Sequence, residues 1–227
     1  MHIVLLLIVF VAAIFGPQWW TKKILAKYSQ ARDDFPGTGG ELAQHLLNNM
    51  NMSHVKVEIT EAGDHYDPID KVVRLSEANW GGKSLTAVAT AAHEVGHAIQ
   101  DSIGYQPLHA RTRLVKFAQI AEKLGAGLMV MMPIVAIFTR FPHLGILMFL
   151  GGLLSLGTSV VVHLITLPVE WDASFKRALP ILDKGRYLSA KDQRAARRIL
   201  TACALTYAAS SLSSLLNLWR WIAILRR

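Results

Sequence analysis

His93, Glu94, Val95, Gly96 and His97 set two imidazoles four residues apart with a carboxylate between them. On a helix, residues i and i+4 stand on one face, so both rings can bind a single ion. The H-E-x-x-H spacing suits zinc, with Glu94 in reach of a water as general base. The plainer alternative is a pair of histidines that only hydrogen-bond within a core. Gly96 favours the metal reading, because the absence of a side chain lets another element come close to the second imidazole. Cys203 is the only cysteine, which excludes a disulfide framework or a thiolate-rich metal site. Any metal must therefore be held by histidines and carboxylates.

A catalytic zinc needs a third protein ligand and an open position. Glu170 is the candidate, in a segment from Val169 to Ala178 that reads as a helix, with Pro168 able to aim it. Asp172 is the alternative ligand, or else a partner that orients an imidazole. His163 lies seven residues before Glu170, near the same helix face, and is either a functional group or a neutral histidine bonded among helices. His109 and Tyr105 follow the histidine-bearing helix and are candidates for stabilising an oxyanion, or else ordinary loop residues.

These residues need elements to hold them. Ser84 is a suitable N-cap for a helix from Leu85 to Ser102, rich in Ala and ended by Gly104. Glu41 to Asn51 reads as a short helix after a Gly-rich loop, with Leu42, Leu46 and Leu47 at helical spacing. Val55, Val57 and Ile59 alternate with polar residues as in a half-buried strand, and Val72, Val73 and Leu75 form a second strand beyond a turn-rich stretch. The pair predicts a small hairpin sheet. Val72, Val73, Arg74, Leu75 and Ser76 are then either an edge to which an extended peptide adds, or simply a strand that closes the core.

Hydrophobic residues make up 52% of the 227, charged residues 18%, and the formal net charge is +8. Soluble domains average roughly 45–50% and 25%, so this composition points to a membrane protein. Four apolar segments carry that expectation. Ile3–Phe15, extended by Gly16, Pro17, Trp19 and Trp20 to about the 17–20 residues a crossing needs, is followed by Lys22, Lys23, Lys27 and Arg32. A second run reaches Thr139, the cleanest extends from Leu144 to Val169, and the fourth, Ile199 to Leu218, is rich in Ala and Ser. Basic residues are retained in the cytoplasm, which orients both long polar segments inward. The expected fold is mainly α, a polytopic helical membrane protein with a small α+β cytoplasmic domain. Its divisions are an anchor at 1–20, a zinc-bearing cytoplasmic domain at 21–116, a transmembrane hairpin at 117–169, a cytoplasmic segment at 170–198 and a final span with tail at 199–227. The basic excess fits lipid contact, and no motif or aromatic-interleaved basic patch points to nucleic acid.

Three stretches together closely resemble the YugP-like family of membrane zinc metallopeptidases. They are Ala91 to Gln100, Asp64 to Pro68 with Val73 to Ser76, and Leu167 to Ser174. The resemblance implies a zincin-like domain holding Zn2+ through His93, His97 and Glu170, with Glu94 as base. A more distant similarity is to the HtpX-type and CAAX prenyl-protease metallopeptidases, where an aspartate stands four residues beyond the glutamate. Here that position is Ser174, which leaves the partner orienting the histidines unassigned. The function expected is endopeptidase action on peptide or membrane-protein substrates at the cytoplasmic face of the inner membrane. The lipid bilayer is the expected surrounding, and an oligomer or partner protein is left open. The rival from another class is a zinc-binding membrane scaffold without catalysis, against which an intact Glu94 speaks. A channel using the buried histidine is disfavoured, because few polar groups line the apolar runs.

Overall fold

The computed structural model describes residues 2–139, 161, 162 and 164–225. His163 and most of the Leu144–Val169 run lie outside the described residues. The chain begins with α1 (His2–Tyr28), a loop, and α2 (Gly39–Asn49). Thr38 and Glu41 cap α2 reciprocally: the Glu41 N–H donates to the Thr38 hydroxyl at 3.2 Å, and the Thr38 N–H to the Glu41 carboxylate at 2.7 Å. Strands β1 (Lys56–Ile59), β2 (His65–Asp67) and β3 (Val72–Leu75) follow, then the short α3 (Glu77–Trp80). Next come α4 (Leu85–Ser102) and α5 (Gln106–Thr139). Residues 164–171 form α6, which passes directly into a π-helical segment, Asp172–Ala178, and then α7 (Leu179–Lys184) and α8 (Ala190–Leu225).

Helix α4 is the axis of the core. Ser84 caps it by accepting from the Ala87 N–H, and Gly104, at φ +67°, turns the chain away after its last residue. Its alanines and Val88 and Val95 are buried against Leu46 and Leu47 of α2, Val73 and Leu75 of β3, and Ile199 and Leu200 of α8. Small side chains allow this helix to be covered on nearly every side.

The sheet is not a simple hairpin. Its order is β1-β3-β2, with β1 parallel to β3 and β2 antiparallel to it. The stretch read as a turn contains β2, which slips in beside β3 and leaves β1 on the far flank. Val72–Leu75 is therefore the central strand, hydrogen-bonded on both sides, and cannot take up a peptide at an edge. Its side chains are committed as well. Val72, Val73 and Leu75 are buried, and Arg74 is held by Asp67 at 2.8 Å and Asp70 at 2.6 Å. Ser76 donates its N–H and hydroxyl to Asp64. The free edge nearest α4 belongs to β2, whose Tyr66 hydroxyl donates to Asp101 of α4 at 2.6 Å.

The expectation of a polytopic membrane protein is corrected. Among the described residues, no helix is long and apolar enough to cross a membrane. The unbroken apolar run of α1, Ile3–Phe15, falls short of the roughly 20 residues a crossing needs and ends in Gly16, Pro17 and Gln18. Helix α5 carries Arg111, Arg113, Lys116, Glu122 and Lys123 through its first half. The first turns of α8 are equally charged, with Lys191, Arg194, Arg197 and Arg198.

Candidate metal centre

The backbone brings α4 and the π-helical segment into direct contact at Gly96. A Cβ placed there would stand 2.7 Å from the Ala173 carbonyl oxygen. That approach sets Glu170 and Ser174, flanking Ala173, opposite His93 and His97. Glu170 Oε2 lies 3.0 Å from His93 Nε2 and 3.3 Å from His97 Nε2. The two imidazole centroids are 4.7 Å apart with planes at 80°. His93, His97 and Glu170 are grouped so that they could hold a metal ion, each offering one ligand atom within 4.8 Å of the others.

The hydrogen bonds behind the imidazoles settle which nitrogen faces inward. Gln100 Nε2 donates to the Val169 carbonyl at 2.9 Å and to Asp172 Oδ1 at 3.0 Å, which fixes the amide so that its oxygen meets His97 Nδ1 at 2.9 Å. An amide oxygen only accepts, so Nδ1 of His97 carries the hydrogen. A neutral His97 then points the Nε2 lone pair at Glu170 Oε2, another acceptor. Two acceptors at 3.3 Å repel unless a cation, a proton or a metal, lies between them. His93 is braced in the same way, its Nδ1 lying 3.0 Å from the Ser174 hydroxyl. Ser174 thus occupies the orienting position that the sequence left unassigned. Asp172 does not meet either histidine. It acts through Gln100 and is itself held by Arg177 Nε at 3.1 Å.

Charge at the centre is unevenly balanced. Burial alone raises the Glu170 carboxyl, but the His97 and His93 imidazoles hold it well below the ordinary carboxylate range. Arg111 Nη1 of α5 lies 3.3 Å from Glu170 Oε1, close enough for ionic attraction but without a hydrogen bond to that oxygen. Glu94 is different. Its Oε2 is buried with no hydrogen-bond partner among the described residues, and burial pushes the carboxyl up to about 7, with His93 opposing and Glu170 and Asp64 adding to the rise. Burial and the same carboxylates lift the Cys203 thiol to about 12, so it remains protonated.

Two cavities flank the ligands. One, of about 280 Å³, opens beside His93 and Glu94 between α1, α4 and α8, and is lined by Thr21, Thr90, Asp64 and Cys203. The other, of about 270 Å³, lies beside His97 and is lined by Tyr66 and Ile69 of the sheet region and Arg111 and Thr112 of α5. His109 lines neither cavity, although it sits on α5 and not in a loop. Tyr105 lies in a separate hollow with Pro168, Trp171 and Asp172. Sequence reasoning missed Gln100 and Arg111. Gln100 follows His97 by one helical turn, a spacing that could have marked it. Nothing near Arg111 in the sequence signals its position.

The family model described as "putative neutral zinc metallopeptidase" matches residues 3–226 of this chain. A protein of Bacillus subtilis (strain 168) named "Putative membrane protease YugP" is 34% identical over 213 residues, which cover 92% of this chain and 90% of that protein. No solved structure matches.

Proposed function

We propose, for a chain that belongs to the neutral zinc metallopeptidase family, that it is an endopeptidase of protein substrates in which His93, His97 and Glu170 hold Zn2+ and Glu94 is the general base. The observation that carries this is the convergence of three ligand atoms within 4.8 Å of one another, together with a Glu94 oxygen next in sequence to His93 that is buried without a hydrogen-bond partner among the described residues. The donor set, two imidazole nitrogens and a carboxylate oxygen, is one that zinc accepts. When bound, zinc supplies Lewis-acid polarisation of the scissile carbonyl and of the attacking water.

The chain's own residues do the rest. Glu94 Oε2 takes a proton from the water as its oxygen attacks the carbonyl carbon. It returns that proton to the amide nitrogen as the C–N bond breaks, giving a carboxylic acid, which keeps the water's other proton, and an amine. Its carboxyl, pushed up to about 7, suits a group that must both take and give a proton near neutrality. Ser174 and Gln100 keep the imidazoles from rotating, and Arg111 attracts the Glu170 oxygen that does not face the histidines. An extended substrate segment would pair with the free edge of β2, which leads into the cavity beside His97. The relative's name supports action at a membrane.

The test uses the full chain purified as wild type and as Glu94→Gln, with zinc content and casein cleavage measured for both. Equal zinc with cleavage lost in the variant is the expected result. Equal cleavage by both would discard the mechanism.

A further inference from the structure

A concentration of uncompensated charge lies away from the metal ligands, in a groove between the end of α1 and the start of α8. The Thr21 hydroxyl donates to the Ala202 carbonyl at 2.7 Å, which sets the register of the two helices. Stepping six residues on from Thr21 reaches Lys27, and stepping back a similar distance from Ala202 reaches Arg194 and Arg198, each a displacement of roughly 6–12 Å at 1.5 Å per residue. There the helices enclose a cavity of about 540 Å³, lined by Lys27, Arg32, Lys191, Arg194 and Arg198 against a single carboxylate, Asp192.

That carboxylate is already committed. Asp192 accepts from Arg32 at 2.6 and 3.1 Å and from the Ser189 hydroxyl at 2.7 Å, and Arg32 also pairs with Asp34 at 2.5 Å. Lys27, Lys191, Arg194 and Arg198 have no ion-pair partner among the described residues. On α8 the three basic residues recur at spacings of three and four, which puts them on one helix face, and Lys27 faces them across the groove. Four like charges around one concavity repel one another, and that repulsion is relieved when an anion enters. The two guanidinium groups offer planar forks matched to phosphate oxygens, and the two ammonium groups add point charges. Nothing in the peptidase reading uses this groove.

We propose that the α1–α8 groove is a binding site for a phosphate-bearing anion. The ligand is either an anionic phospholipid headgroup or a free phosphate compound, and the same four cations would recognise either.

The full chain in a non-ionic detergent is titrated calorimetrically with inorganic pyrophosphate in one arm and short-chain phosphatidylglycerol in the other. Short-chain phosphatidylcholine is the control lipid. Two variants of equal charge loss are compared with wild type. One is Lys191→Gln, Arg194→Gln, Arg198→Gln, which spares the Arg32–Asp192 pair. The other is Lys56→Gln, Arg113→Gln, Lys184→Gln, at exposed positions elsewhere. Each basic residue near an anionic surface contributes about fivefold in affinity, so the loss of three is expected to weaken binding on the order of 100-fold. The control variant should remain within about threefold. Binding of pyrophosphate alone identifies a free phosphate ligand, and binding of phosphatidylglycerol alone identifies a headgroup. The proposal is overturned if neither anion binds wild type, or if both variants lose affinity equally.

Discussion

Replacing Gly96 by Ala tests whether the contact between α4 and the π-helical segment builds the metal centre. Helix propensity alone predicts a gain of about 1 kcal/mol, because glycine in a helix interior is the less favourable residue. The structure predicts the opposite sign. The new methyl would meet the Ala173 carbonyl oxygen at 2.7 Å, its carbon at 3.3 Å and its Cα at 3.4 Å, all backbone atoms that no side-chain rotation can move aside. Non-bonded heavy atoms settle at about 3.5 Å, so the segment must withdraw by roughly 0.8 Å. Overpacking of this kind costs about 1–3 kcal/mol, which offsets the propensity gain and leaves a net loss of up to about 2 kcal/mol. The effect on zinc is larger in proportion. Metal ligands tolerate displacements of only about 0.2 Å, and Ala173 stands between Glu170 and Ser174, which lie 3.0 Å from the two nitrogens of His93. Zinc affinity should fall at least about tenfold. Thermal unfolding of the chelated protein and competition against a chromophoric chelator give the two numbers. A variant that melts higher than wild type and binds zinc as tightly would refute the close-contact reasoning.

Three further perturbations probe neighbouring parts of the account. Gln100→Ala frees His97 to rotate and should weaken zinc binding by about 10–100-fold, while Gln44→Ala, at a half-buried position of α2 that pairs with Asn48 alone among the described residues, should leave it unchanged. Equal affinities would remove Gln100 from the site. In the chelated protein, Glu94 titrates near 7 when folded against 4.5 as its ordinary value. The folded state therefore holds an extra proton between those limits, and wild type loses stability relative to Glu94→Gln as pH rises through the window, by on the order of 3 kcal/mol. Denaturant unfolding of both at pH values below and above the window checks this, and parallel pH profiles would contradict it. The Asp192 carboxyl is held low by Arg32 first and Ser189 next, so its stabilising contribution is present above the ordinary carboxylate pKa and is lost as pH falls through the lowered value. Asp192→Asn should flatten that acid limb of the stability curve.

The local chemistry of the site was legible in the sequence because it rests on spacing along one helix. The cap at Ser84, the run Leu85–Ser102, the turn at Gly104 and the face shared by His93 and His97 all follow from intrahelical rules. Glu170 could be named from resemblance, but what brings it near is a π-helical segment pressed onto Gly96, and nothing in the local pattern of 172–178 announces that geometry. The sheet order escaped for a related reason. Alternation identifies β1 and β3 as strands but carries no information on which lies in the middle, and β2 is only three residues long. The membrane architecture was misread from the apolar segments, each taken apart from the helix that contains it: the second and fourth belong to α5 and α8, whose first turns are heavily charged. Arg111 stayed invisible because its meaning depends on how α5 folds back, a tertiary fact without a sequence signature.

The central claim is that a single zinc is held by His93, His97 and Glu170. Anomalous diffraction at the zinc edge on crystals of the zinc-loaded full chain tests it most directly. The account predicts one peak within bonding distance of Nε2 of both histidines and a carboxylate oxygen of Glu170. A peak elsewhere, or one with both Glu170 oxygens beyond bonding distance of the ion, would contradict it.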